Sequence, residues 1–171
     1  MSTRVLVAYA TRYGSTKEVA DAVTASLAEA GLAVETHPVQ DVRTLESYAA
    51  IVLGAPLYMY RWHKGARRFL SRHRDALRKL RVAVFALGPT HEPPDEQEWA
   101  DSRAQLDKEL AKFPWLEPVS VELFGGKYDP EKLPFPINLL AGQEPASDIR
   151  NWNTIDAWAS NLATKLEPGV A

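Results

Sequence analysis

The stretch TRVLVAYATRYGST, residues 3–16, decides the fold of this chain. Its first seven residues, 3–9, are mostly apolar or β-branched and predict a buried strand. A short polar loop follows, and Ser15 with Glu18 three residues later matches a capping box at the start of a helix. That helix carries an apolar stripe and ends at Gly31, a residue typical of helix C-termini. A strand, a polar loop and a helix in this order are typical of an α/β protein.

The same alternation of strand and helix continues through all 171 residues. Four further strands are predicted, at residues 32–37, 49–53, 82–87 and 119–124. Three further helices are predicted: a basic helix with apolar residues from Ala66 to Leu80, an acidic helix after Asp95, and a last helix capped by Asn153. We therefore predict one α/β domain over residues 1–171, with a five-stranded parallel sheet and helices on both faces.

Composition excludes several classes of protein. The chain has no cysteine, which rules out disulfides, thiolate metal sites, iron–sulfur clusters and cysteine nucleophiles. The apolar run at residues 5–10 is too short for a secretory signal, and no stretch approaches the ~20 apolar residues that span a bilayer. No pair of histidines has the spacing of metal ligands, so no metal site is expected. We expect a cytoplasmic protein.

The net charge of −2 hides a strong asymmetry. Residues 61–81 hold nine basic residues and one acidic residue, Asp75, a net charge of +8 that leaves −10 on the rest of the chain. Such a segment is most often a solvated face. It also fits an anionic substrate, an acidic partner protein, or the anionic inner face of a membrane to which the protein binds peripherally. No recognition motif accompanies the charge, so nucleic acid is not expected as a partner.

Ligands of an α/β sheet bind at the carboxyl ends of its strands, which makes 10–16, 55–64 and 88–95 the candidate loops. Three common functions are excluded by what these loops lack. Residues 10–16 hold one glycine and no G-x-G-x-x-G dinucleotide motif, and no G-x-x-x-x-G-K-[ST] motif occurs in the chain. The carboxylates of a phosphoacceptor domain are also missing, because Ala10-Thr11 and Gly54-Ala55 follow the first and third strands.

The loop at 10–16 does carry the groups of a phosphate site. It combines the hydroxyls of Thr11, Ser15 and Thr16 with a flexible Gly14 at a helix N-terminus, where backbone N–H groups and the helix dipole attract anions. Arg12 adds a positive charge. The alternative is that Ser15 and Thr16 only cap the helix.

Residues Thr11-Arg12-Tyr13-Gly14-Ser15-Thr16 resemble the T-x-T-G-x-T phosphate loop of the flavodoxins, which holds the phosphate of FMN. Tyr13 departs from that outline and resembles instead the S-T-R-x-G-x-T loop of the menaquinone-dependent protoporphyrinogen oxidases. Gly54-Ala55, the segment from Tyr58 through His63, and Gly88-Pro89 are also similar to that branch. The resemblance covers nearly the whole chain. It implies a three-layer, doubly wound, flavodoxin-like fold with strand order 2-1-3-4-5, and FMN as the cofactor.

By the same resemblance, the isoalloxazine ring of FMN lies between the loops 56–62 and 88–92. A flavin needs apolar or aromatic walls and backbone donors at its ring edge. The residues implied for these roles are Pro56, Leu57, Tyr58, Met59, Tyr60, Trp62, Gly88, Pro89, Thr90 and His91. The alternative is ordinary packing of an aromatic surface loop.

Two histidines and the long connection each allow two interpretations. His63 follows the aromatic loop and is the candidate proton shuttle or anion ligand, unless it only begins the basic helix. His73 lies on the apolar stripe of that helix and is expected at the core or an interface. Residues 125–150 are unusually apolar and too long for a plain crossover, which indicates contact with a substrate, a quinone or a second copy in a homodimer, or packing on the domain itself.

These features predict an FMN-binding oxidoreductase that resembles the menaquinone-dependent protoporphyrinogen oxidases and has a small-molecule or quinone redox partner. Three alternatives stay open. They are an electron-carrier flavodoxin, a NAD(P)H- or quinone-dependent reductase, and a flavodoxin-like binding module without FMN.

Overall fold

The computed structural model describes residues 3–58, 61–140 and 145–167. The strands are β1 (Arg4–Tyr9), β2 (Ala33–Pro38), β3 (Ala50–Tyr58), β4 (Arg61–Trp62), β5 (Arg81–Leu87), β6 (Ser120–Phe124), β7 (Lys127–Tyr128) and β8 (Ser147–Asp148). The helices are α1 (Ser15–Glu29), α2 (Lys64–Arg72), α3 (Arg74–Leu77), α4 (Glu96–Leu110), α5 (Ile137–Leu140) and α6 (Trp152–Leu166). The central sheet has the order β2-β1-β3-β5-β6, with all four pairings parallel. This confirms the predicted α/β fold and its order of five parallel strands.

The three layers follow from the alternation of side chains along each strand. In β1, Val5 and Val7 point to a cluster with α1 and α6, whereas Leu6 and Ala8 point to a cluster with α2, α3 and α4. All four side chains are fully buried. A strand with helices on both faces has no polar face, which explains the continuous apolar runs seen in the sequence.

Gly54, near the middle of β3, makes room for an aromatic cluster from the neighbouring elements. A Cβ at this position would lie 2.0 Å from Cζ of Phe85, so the glycine is required by close packing. The Phe85 ring in turn packs 5.9 Å from the rings of Phe124 and Trp158. The contact between β3 and β5 therefore depends on a residue without a side chain.

Three of the predicted helix ends are wrong. The capping box of Ser15 and Glu18 does not form, because Gly14 is the N-cap residue of α1 and no side chain caps that helix. The last helix is capped by Asn151 rather than Asn153, since the Asn151 side chain accepts from the N–H of Thr154. The basic helix breaks at His73, which leaves helical geometry and separates α2 from α3.

Among the described residues, no helix combines the length and the apolar character that crossing a membrane requires.

Candidate functional site

Four segments meet at the carboxyl edge of the sheet and surround one cavity of about 210 Å³. They are the loop after β1, the end of β3, the loop after β5, and the segment after β6. The residues that line the cavity are Arg12, Tyr13, Ser15, Pro56, Leu57, Tyr58, Leu87, Gly88, Thr90, Gly126, Lys127, Tyr128, Asp129 and Leu133. All three predicted loops thus contribute to this cavity, and residues 126–133 add a fourth wall. We call it the flavin cavity, after the cofactor predicted from the sequence.

The loop after β1 leaves the first turn of α1 open. Its turn is closed by the N–H of Gly14, which donates to Oγ1 of Thr11 at 2.9 Å. Gly14 has φ of 95°, in the left-handed region that favours glycine. The first N–H groups of a helix have no intrahelical acceptor, and no side chain among the residues that the structure describes caps them here. They are therefore free to bind an anion.

Thr16 provides the test of whether this loop suits a phosphate group. Its side chain is fully buried, and within the described part of the chain its Oγ1 has no hydrogen-bond partner. Leaving a buried hydroxyl unpaired costs about 1–3 kcal/mol, so such groups normally have an acceptor. A phosphate held by the open turn of α1 would supply that acceptor. The residues present fit the phosphate of FMN, and the alternative that Ser15 and Thr16 cap the helix is wrong.

Arg12 spans the mouth of the cavity. Its guanidinium lies 4.1 Å from the centre of the Tyr58 ring, and its Nε donates to the hydroxyl of Tyr13 at 2.9 Å. Cation–π stacking of this kind holds the Arg12 side chain over Tyr58, the last residue of β3. The positive charge therefore lies between the phosphate loop and the aromatic wall.

Arg150 is a residue of this region that sequence reasoning missed. Its side chain is only 3% exposed and makes two hydrogen bonds to the carboxylate of Asp148, at 2.7 and 2.9 Å. A third bond, from Nη1 to the carbonyl oxygen of Ser15, ties it to the first turn of α1. The hydrogen bonds from Arg150 hold the pKa of Asp148 below its usual range. The pair thus brings a fixed cation to the phosphate loop from a distant part of the chain.

The loop after β5 has its backbone donors already in use. The N–H of Gly88 donates to the carbonyl of Phe124, and the N–H groups of Thr90 and His91 both donate to Oε1 of Glu98. Pro89 is buried and has no N–H group. The backbone N–H groups expected to bind the edge of a flavin are therefore already bonded to acceptors within the protein. This loop lines the cavity without free N–H groups at these three positions.

His91 lines an adjoining space of about 460 Å³ against α4. Leu57, Tyr58 and Gly88 line both this space and the flavin cavity, so the two adjoin between the predicted ring loops. The ring Nδ1 of His91 lies 2.8 Å from the carbonyl oxygen of Pro93. His91 thus lies beside three of the residues predicted at the flavin ring, and its own contact with the ring stays a prediction.

Trp62 is wrongly predicted as a wall of the flavin cavity. Its side chain is fully buried, and the indole N–H donates to the carbonyl of Ala55 at 3.0 Å. Because neighbouring residues of a strand face opposite sides, Arg61 is exposed while Trp62 enters the core. Met59 and Tyr60 lie outside the described residues.

His63 caps a helix and does not line the flavin cavity. Its Nδ1 accepts from the N–H of Gly65 at 2.9 Å, so the proton of the neutral ring lies on Nε2. Burial lowers its pKa below the usual range, and the nearby charges of Arg12, Lys64 and Arg67 lower it further. The structure therefore gives the His63 ring a fixed place at the start of α2, and its role as a proton shuttle stays a prediction.

The long connection packs on both cofactor loops. Gly126 donates to the carbonyl of Pro89 at 2.7 Å, and Lys132 Nζ lies 3.5 Å from the carbonyl oxygen of Tyr13. Two of its apolar side chains face outward, since Phe135 is 78% and Leu139 is 68% exposed. The described part of the segment therefore packs over the cavity and presents these two side chains to the outside. Within the described part of the chain, no group of histidine and acidic residues is arranged to hold a metal ion.

The fold and this cavity define a protein of the flavodoxin type. The chain belongs to the flavodoxin domain family, whose model matches residues 6–136. This assignment confirms the predicted family and FMN as the predicted cofactor.

Solved structures share this fold, and a curated protein is weakly similar in sequence. The chain is 20% identical to the quinone-type protoporphyrinogen IX dehydrogenase of Escherichia coli K12 over 153 residues, covering 75% of this chain and 84% of that protein. It matches oxidised flavodoxin 1 of Bacillus cereus with a TM-score of 0.60 and 16% identity, covering 96% and 100% of the two chains. A mutant flavodoxin of Pseudomonas aeruginosa gives a TM-score of 0.60 and 18% identity, covering 96% and 99%.

Proposed function

We propose that the protein is an FMN-dependent oxidoreductase that passes electrons from a small-molecule donor to a quinone. The observation that carries the FMN site is the orphaned hydroxyl of Thr16 in the open first turn of α1. A buried hydroxyl without a partner, in the first turn of a helix whose N-terminus is uncapped, is an arrangement that a phosphate monoester would complete. Bound there, FMN supplies transfer of a hydride or of single electrons at its ring.

Each wall of the cavity has a separate task in this proposal. The open turn of α1 and Thr16 hold the phosphate, and Arg12 adds its charge beside them. Pro56 and Tyr58 provide the apolar wall for the ring. Residues 126–133 cover the cavity and exclude water, which strengthens every electrostatic contact inside it.

The choice of an enzyme over an electron carrier rests on three features. The first is the similarity to the quinone-type protoporphyrinogen IX dehydrogenase of Escherichia coli. The second is the pair of exposed apolar side chains on the long connection, Phe135 and Leu139, which suits the approach of an apolar donor or quinone. The third is the basic segment at 61–81, because its charge favours an anionic substrate over docking to a basic reductase.

The first experiment is the visible absorption spectrum of the purified protein, before and after addition of FMN. We expect flavin bands at one FMN per chain. Protein that stays colourless with excess FMN would contradict the cofactor site and leave a binding module on a flavodoxin scaffold.

A second experiment separates the enzyme from the carrier. The FMN-loaded protein is given protoporphyrinogen IX and menadione, and porphyrin fluorescence is followed without oxygen. Turnover above the rate with free FMN supports an oxidase. Absence of turnover, combined with rapid one-electron exchange with a flavodoxin reductase, would instead identify an electron carrier.

A further inference from the structure

A second cavity, of about 300 Å³, lies between α2 and the ends of β1 and β2. It is lined by Tyr9, Ala10, Thr11, Pro38, Val39, Gln40, His63, Gly65, Arg68, Phe69 and Arg72. None of these residues lines the flavin cavity. The two cavities are nevertheless neighbours, because Thr11 lines this one and the next residue, Arg12, lines the flavin cavity.

The charged groups of this cavity are all of one sign. Arg68 and Arg72 lie one turn apart on the same face of α2, and the described residues that line the cavity include no carboxylate. Within the described part of the chain, neither arginine forms an ion pair. Arg67 on the same helix differs, since its Nε bonds the carbonyl of Trp62 and pairs with Glu109. Like charges at this spacing repel, and an anion held between them reverses that repulsion.

Two neutral donors complete the polar side of the cavity. His63 accepts through Nδ1, so its remaining ring proton lies on Nε2. The Oγ1 of Thr11 accepts from Gly14, so its own proton is available to donate. The opposite wall is apolar and is formed by Ala10, Val39 and Phe69.

We propose that this cavity is a second ligand site, which binds a small organic anion through a carboxylate or phosphate group. The planar forks of Arg68 and Arg72 match the paired oxygens of such a group. The donors of His63 and Thr11 complete its coordination, and the apolar wall accommodates a short carbon skeleton. The site lies outside the flavin cavity and does not depend on the redox reaction.

The test is a titration of the purified protein, loaded with one equivalent of FMN and freed of excess FMN, by citrate and by inorganic phosphate at constant ionic strength. The readout is the amide NMR signals of Gly65 and Gln40, which line this cavity and not the flavin cavity. We expect saturable shifts with citrate that chloride does not produce. Arg68→Gln and Arg72→Gln should each weaken binding at least ~10-fold, because each removes a bidentate partner.

Arg78→Gln is the matched control. Arg78 is exposed, carries the same charge in the same basic segment, and does not line this cavity. Its substitution should leave citrate binding unchanged.

Absence of saturable shifts in the unsubstituted protein would overturn the proposal, as would an equal loss of citrate affinity in the Arg78 variant. Arg68 and Arg72 are both exposed, so the two variants are expected to fold. The titration of the unsubstituted protein tests whether the site binds citrate even if a variant does not fold. The FMN spectrum reports on the proposed redox function separately.

Discussion

The carboxylate of Glu98 holds the backbone of Thr90. Its Oε1 accepts from the N–H of Thr90 at 3.1 Å and also from the N–H of His91 at 3.0 Å. A carboxylate oxygen shared by two successive N–H groups makes charge-assisted bonds that are stronger than neutral ones. The loop over the flavin cavity is therefore shaped by a side chain on α4.

Glu98→Ala is expected to weaken FMN binding and to destabilise the fold. It leaves two backbone N–H groups without their acceptor, a loss of about 1–3 kcal/mol. Glu98→Gln keeps an acceptor oxygen and should have a smaller effect. Flavin titration measures the FMN affinity of each variant, and urea unfolding measures its stability. Glu96→Ala, an exposed carboxylate in the first turn of the same helix, is the control, and an equal effect there would show that Glu98 acts only through the helix dipole.

Gly54→Ala is expected to destabilise the sheet. The new Cβ would meet the Phe85 ring at 2.0 Å, in a core where overpacking typically costs about 1–3 kcal/mol. Urea unfolding at equilibrium measures the loss. Phe85→Leu removes the colliding ring, so the double variant should lose less stability than the two single losses add up to. Simple additivity would contradict a direct clash between these two residues.

The features that sequence reasoning predicted correctly come from continuous patterns. The apolar runs of β1, β3 and β5 are long enough to mark buried strands, and parallel strands bring their carboxyl ends to one edge. That is sufficient to place Arg12, Tyr58 and Gly88 around one cavity. The order of the strands came instead from the resemblance to the flavodoxins.

The features that sequence reasoning missed depend on contacts that leave no local pattern in the sequence. Trp62 belongs to a strand of two residues, too short for alternation to show which side it faces. Glu98 acts on backbone N–H groups, which any residue type would present. Arg150 reaches Ser15 across 135 positions of the sequence, and nothing near either residue indicates the pairing.

Thr16→Val is expected to change stability and FMN binding in opposite directions. Without ligand, replacing an unpaired buried hydroxyl by a methyl group of similar shape should stabilise the protein by about 1 kcal/mol. With FMN, the variant lacks a donor to a charged phosphate, and affinity should fall ~10- to 100-fold. The two quantities are measured by urea unfolding of the FMN-free protein and by flavin titration.

Thr24→Val, on the same helix, is the control for this substitution. The Thr24 hydroxyl already donates to the carbonyl of Ala20. Its loss should lower stability and leave FMN affinity unchanged. If Thr16→Val instead kept full FMN affinity, Thr16 would have no part in holding the phosphate.

Stability is expected to fall as the pH is lowered below about 6.5, the ordinary pKa of histidine. Burial lowers the pKa of both His63 and His73. The nearby charge of Arg12 lowers the pKa of His63 further, and that of Arg72 lowers the pKa of His73 further. The unfolded chain therefore binds protons at a pH where the folded chain does not. The stabilisation is complete above the ordinary pKa and is lost as the pH falls towards the lowered values.

The substitution His63→Asn tests the contribution of that residue to the pH dependence. Asparagine is a favoured N-cap residue and does not titrate, so α2 keeps an acceptor for the N–H of Gly65 while the proton uptake disappears. We expect the free energy of unfolding to depend less steeply on pH between 6.5 and 5 in this variant. His91→Asn, at an exposed histidine outside α2, is the control. An unchanged slope in His63→Asn would show that protonation of His63 is not coupled to folding.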